Sequence, residues 1–335
     1  MMSTEMHRST HYGNGRGRRR LLSPGDFTYL SASLFLTSMR LCPASRRVEL
    51  IERLSGLLGW IIYAADSQAA RTVRENLATI IKYDRPKKSV ESDVRRLLSL
   101  VAWNTLLINS LPALTREEIA ELVPVEGASQ LDNHLDDGHP VLIWSYHFGT
   151  HPLVVASILH AMGYPIHAIT HVLQMPAGAT VFQRMYLRRL RGIAEQLPVI
   201  DPRQGVQPKM LNVLRSRQCL FVTPDYMMRQ DEVRPDLAFV VPVEFLGRRA
   251  YLHSGGLRLA KRLAAKVVII LAKEARAGAP RLVVQPFELP TVGLTPADLQ
   301  CDLQACMRHL EAQVTAQPHL WWDLKRVDWS ERLTV

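Results

Sequence analysis

Ile143-Trp144-Ser145-Tyr146-His147-Phe148-Gly149-Thr150-His151-Pro152 is the stretch whose reading decides the fold. The apolar run Pro140 to Tyr146 is short, rich in β-branched and aromatic residues, and reads as a buried strand. Pro152 suits the first turn of a helix, where a missing N–H costs nothing. Between them lies a tight polar turn, so the segment is a strand running into a helix. His147 then stands at the carboxyl end of a strand, where open α/β sheets bind their ligands. The positive end of the following helix disfavours an imidazolium, which keeps His147 neutral and available as a general base near pH 7. The same position also suits a core histidine bonded to a main-chain carbonyl.

Outward from this turn, Gly138 to Gln183 holds no Asp, Glu, Lys or Arg, yet carries six of the 12 histidines: His139, His147, His151, His160, His167 and His171. A stretch that avoids permanent charge is expected to be deeply buried or to line an apolar tunnel. Beyond Val123 further short β-rich runs follow: Pro165 to Val172, Leu197 to Ile200, Cys219 to Val222, Phe239 to Phe245, Lys266 to Leu271 and Arg281 to Pro286. Helical runs separate them, among them Pro152 to Met162, Pro176 to Arg191, Lys209 to Ser216 and Gly255 to Ala264, and Pro296 to Thr315 makes a last helix. This alternation predicts an α/β fold with a mixed central sheet flanked by helices.

Upstream the rhythm is helical. Val48, Ile51, Leu54, Leu58 and Ile61 recur at three- and four-residue steps, and Pro43, Pro86 and Pro112 divide the region into helices, with Arg71 to Ile81 and Ser89 to Leu107 the next two. The expected organisation is a disordered basic arm at 1–26 containing Arg16, Arg18, Arg19 and Arg20, an N-terminal helical, membrane-associating region at 27–120, and the α/β domain at 121–335.

The chain has 335 residues, 41 Lys and Arg against 31 Asp and Glu, and a formal charge of +10, a balance that favours an anionic partner. No nucleic-acid module is recognisable. Four scattered cysteines exclude a disulfide framework in a chain of this length and favour a reducing compartment. No stretch has 18 apolar residues free of charge and breakers, so Phe27 to Met39 and Leu54 to Ala65 point to peripheral attachment instead of a span.

A second polar strand end is Thr223-Pro224-Asp225, where Asp225 is either a site carboxylate or a turn residue after proline. Arg184, Arg188 and Arg191 share one helical face, which suits phosphate or a pantetheine phosphate, or simply solvent. A zinc site at His147 and His151 lacks the glutamate that follows the first histidine in helical zinc motifs, and Gly149 and Pro152 oppose a helix through both. Cys301, Cys306 and His309 read as core residues of the last helix, so no metal is expected.

The order Val125-Glu126-Gly127, Gly138, His147-Phe148-Gly149-Thr150, Pro224-Asp225, Val243-Glu244-Phe245-Leu246-Gly247, Gly255 and Leu259-Ala260 resembles the lipid A late acyltransferases, the lauroyl and myristoyl transferases. Arg74, Asn76 and Leu77 fit that family's Arg-x-x-Asn-Leu neighbourhood with one residue fewer, and the likeness runs from about residue 45 to 325, Pro318 and Trp321 included. The resemblance implies a glycerolipid-acyltransferase-like fold and a His-x-x-x-x-Asp/Glu pair in which the histidine deprotonates an acceptor hydroxyl and the carboxylate orients it. Here the histidine is His147, and the position of the acid is Pro152. The family's downstream arginine and aspartate map onto Arg184 and Asp225.

The expected function is therefore transfer of a fatty acyl chain from acyl carrier protein or coenzyme A to a hydroxyl or amine of a lipid-like acceptor, at the cytoplasmic face of the inner membrane and without a cofactor. His147 is the expected base, Asp225 and Arg184 position substrates, and amides at the helix start assist the oxyanion. Arg188, Arg191, Gly149 and Thr150 are expected to contact substrate. His151, four residues on, is the expected substitute orienter of His147. The competing readings are a homologue that kept the fold and only binds a lipid or partner, and a metal-dependent hydrolase.

Overall fold

The computed structural model describes residues 43–65, 67–79, 86–111, 114–169, 188, 197–201, 206–225, 227–228, 230, 233, 239–274 and 280–325. The expected arm at 1–26 and the apolar run Phe27 to Met39 lie outside them. Three helices lead: α1 (Ala44–Ala65), α2 (Ser67–Thr79) and α3 (Lys87–Ser110). The buried row Ile51, Ser55, Leu58 and Ile62 of α1 packs against α3, whose Val94, Leu97, Leu98 and Leu106 are equally enclosed. A short α4 (Arg116–Leu122) follows, opened by a capping box in which the Thr115 hydroxyl accepts from the Glu118 amide.

The α/β part then unfolds as β1 (Val125–Glu126), α5 (Ala128–Asp136), β2 (Val141–Ser145), α6 (Pro152–Ala161), β3 (Ile166–Ile169), β4 (Val199–Ile200), α7 (Val206–Arg215) and β5 (Cys219–Val222). It continues with β6 (Val240–Phe245), β7 (Arg248–His253), α8 (Gly255–Arg262), β8 (Lys266–Glu274), β9 (Pro280–Pro286) and α9 (Pro296–Ala316), and closes with 3-10 turns at Pro318–Leu320 and Trp322–Lys325. Seven strands form one sheet in the order β1-β9-β8-β2-β5-β3-β4. Every neighbouring pair in it is parallel except β8 with β9. The expected mixed sheet flanked by helices is thus present, and it is mostly parallel.

β2 lies at the centre and all five of its residues are buried, as a strand covered on both faces requires. α6 packs against β3 and buries Leu153, Val154, Val155, Ile158 and Leu159, so much of the described charge-free stretch is core, while Met162 and Gly163 after the helix are exposed. α9 covers the sheet with Leu299, Leu303, Cys306, Met307, Leu310 and Val314, and the buried Tyr146 hydroxyl donates to the Cys306 carbonyl at 3.1 Å.

Two strands were not expected. β1 is two residues long, too short for any alternation to show. β7 pairs with β6 in a separate hairpin turned at Leu246 and Gly247, whose φ of 53° and 71° give both turn residues the left-handed backbone of a tight hairpin. Its alternation is masked by Arg248 and Arg249. Cys301 corrects a further expectation: it is exposed on the outer face of α9, while Cys306 is buried.

Candidate functional site

The site is laid out by strand register. β2 and β5 run parallel with Trp144 opposite Val222, and three residues further along the same register His147 comes opposite Asp225. Two strand ends therefore converge. Asp225 is 2% exposed. Its Oδ2 accepts the His147 main-chain N–H at 2.7 Å, and both carboxylate oxygens lie beside the His147 Nδ1, at 3.2 and 3.3 Å. One carboxylate thus fixes the backbone and the ring of the same histidine. With Nδ1–H donated to Asp225, Nε2 is the ring atom left to take a proton.

The loop after His147 is held from two sides. Asn104 of α3, 2% exposed, donates from Nδ2 to the Gly149 carbonyl at 2.8 Å and accepts the His151 amide on Oδ1 at 2.7 Å. From the other side the Gly149 amide donates to the Leu320 carbonyl at 2.6 Å, and Phe148 bridges Trp321. Gly149 has φ of 73°, and a Cβ there would overlap the side chain of Ala272, so the turn admits no larger residue. Thr150 is buried, and its Oγ1 has no hydrogen-bond partner among the described residues.

His151 stands elsewhere than expected. Its Nδ1 accepts the Leu153 amide at 3.0 Å, making it the N-cap of α6 with Pro152 behind it. Its ring lies edge-on to that of His147 with centroids 6.0 Å apart, whereas the atom beside the His147 Nδ1 is a carboxylate oxygen of Asp225. Burial, then the neighbouring His147 and Lys325, holds the His151 imidazole well below its ordinary pKa, which preserves the lone pair the cap needs. This cap also uses the Leu153 amide, so that helix-start N–H is not available to an oxyanion.

Arg188 is exposed. Arg184 and Arg191 lie outside the described residues, as does His171. The two residues missed by sequence reasoning are Asn104 and Asp323. Asp323, on the last 3-10 turn and 6% exposed, brings a carboxylate oxygen to the pair, so that His147, Asp225 and Asp323 place one donor atom each within 4.8 Å of one another. No local signal marks either residue, because each reaches the site only through tertiary packing.

A histidine–carboxylate pair thus stands at adjoining strand ends of a mostly parallel sheet. The description "bacterial lipid A biosynthesis acyltransferase" belongs to the family model that matches residues 16–327. With nearly the whole length covered, the chain is a member of that family, and acyltransferase activity on lipid A-like acceptors is the family's trait. A comparison with curated proteins returned no match.

Proposed function

We propose that the chain transfers a fatty acyl group from the thioester of acyl carrier protein or coenzyme A to a hydroxyl or amine of a lipid-like acceptor, with His147 as general base and Asp225 as its orienting carboxylate. The observation that carries this reading is the double hold of Asp225 on His147, through the main-chain N–H and through Nδ1. Pro152 occupies the position where the resemblance would put the acid, and Asp225 supplies a carboxylate to the base from the neighbouring strand instead.

In the step as proposed, Nε2 of His147 takes the acceptor proton as the acceptor oxygen or nitrogen attacks the thioester carbon. Collapse of the tetrahedral intermediate breaks the carbon–sulfur bond, and the leaving thiolate takes the proton back from His147. Asp225 stabilises the intervening imidazolium by a charge-assisted bond, roughly twice as strong as a neutral one. Arg184, Arg188 and Arg191 are proposed to meet the phosphates of donor or acceptor, and Gly149 and Thr150 to line the acceptor side. The reaction would proceed at an anionic membrane surface, onto which the exposed face of α1 would dock.

The test is turnover of one acyl thioester with one hydroxylated lipid A-type glycolipid by wild type, His147→Ala and Asp225→Asn. Both variants should fold and lose about 10²-fold or more in kcat. Activity within about threefold of wild type for His147→Ala would sink the assignment, because removing a base costs far more than that. A wild type that binds the glycolipid and turns over no thioester would install the binding-protein reading in its place.

A further inference from the structure

We propose that Asp323 is a positioning residue of the base, a second carboxylate that raises the proton affinity of His147 and so strengthens it at the moment of attack. The inference rests on the reading of His147 as the base. Its ground is geometric. Asp323 is almost wholly buried, and its donor oxygen lies within 4.8 Å of those of His147 and Asp225. The turn that carries it is tied down on both sides. Leu320 accepts the Gly149 amide at 2.6 Å, Trp321 bridges Phe148, and Leu324 accepts Nδ2 of Asn76 at 2.7 Å. One residue before Leu320, His319 Nδ1 stands 3.5 Å from Asp93 of α3. A carboxylate delivered to the site across such anchors has a fixed position.

The consequence follows from charge. Two carboxylates enclosed beside one imidazole repel each other, and a proton on His147 relieves both at once. The pair becomes easier to protonate than with Asp225 alone, so the proton removed from the acceptor is held better until the thiolate leaves. The charged and titratable groups recorded beside His147 among the described residues are Asp225 from the end of β5, His151 from the start of α6 and Asp323 from the last turn, whose Lys325 acts on His151. The contribution of α3 there, Asn104, is neutral.

The experiment compares full-length wild type, Asp323→Asn and Asp323→Glu with lauroyl-coenzyme A and a hydroxylated lipid A-type glycolipid. Asp323→Asn should lower kcat about tenfold with KM within about twofold, and should move the acid limb of the pH–rate profile down by about one unit, as loss of a nearby opposite charge does. Asp323→Glu should recover part of both. In parallel, the His147 imidazole is titrated by NMR in the same proteins, with His147→Gln assigning its resonances. It should titrate about one unit lower in Asp323→Asn than in wild type. That arm needs no turnover, so it separates failure of this inference from failure of the acyltransfer reading. An unmoved imidazole titration overturns the proposal whatever the activity. Loss of wild-type turnover, or a rise in the wild-type imidazole titration, on adding EDTA overturns it too, because the three groups would then hold a cation.

Discussion

Gly149 sets the geometry of the site at the scale of one residue. Its left-handed φ, its carbonyl on Asn104 and its amide on Leu320 make the turn after His147 a three-way junction. Gly149→Ala adds a methyl group where Ala272 already stands and forces a backbone that L residues avoid, so it should cost about 1–3 kcal/mol of stability. Turnover should fall further than that loss explains, since the displaced loop carries His147. Thermal melting beside kcat checks both, and an alanine variant with wild-type melting would show that the junction yields. At this scale much was legible. The strand, the turn and the proline-led helix followed from local chemistry, and Asp225 was recognisable as a polar strand end. That it faces His147 depends on register between strands far apart in the chain. Asp323 and Asn104 were illegible because a lone Asp among Trp321, Trp322 and Leu324, or a lone Asn inside a helix, announces nothing about what it touches.

The element with the clearest outward consequence is α1. Its inner row packs on α3, while its last turns turn Leu57, Trp60, Ile61 and Ala64 outward, with Trp60 63% and Leu57 52% exposed. These positions recur at three and four residues, so the apolar stripe is continuous. None of the helices among the described residues is long and apolar enough to cross a membrane. A stripe of this kind suits a helix lying in the headgroup layer, where tryptophan is favoured. Leu57→Ser with Trp60→Ser should leave melting unchanged and weaken partition onto vesicles containing phosphatidylglycerol by roughly tenfold or more, given the transfer energy of two large apolar side chains. Sedimentation with such vesicles reads this, and unchanged binding would remove α1 as the contact. The helices themselves were legible in the sequence through their periodicity, α3 nearly to its ends. The β6–β7 hairpin was half legible. β6 alternates openly, whereas β7 begins with two arginines, and Arg248, half-buried on the same face as Ala250 and Leu252, hides that inward row.

For the molecule as a whole, the histidines predict how it meets acid. Burial pushes His134, His151, His167 and His309 below the ordinary imidazole pKa, with Lys266 acting further on His134 and Lys273 on His309. The unfolded chain therefore takes up protons as pH falls below about 6.5, while the folded chain resists them. Stability rises with pH wherever the unfolded state binds more protons, so it should decline from about pH 6.5 downward, before most carboxylates titrate near pH 4. Melting temperatures across pH 7.5 to 5 by circular dichroism test this, and a flat profile over that span would contradict it.

The bridge between Phe148 and Trp321 also has a meaning in time. On the ribosome the strand end bearing His147 emerges long before the turn bearing Asp323, and at about 5–20 residues per second the interval is roughly 10–35 s. During that interval a nascent chain holds His147 without the turn that bridges Phe148. On the proposed reading, thioester chemistry would wait for the Trp321 turn, which would spare a chain still lacking that turn from acylating whatever amphiphile it meets first.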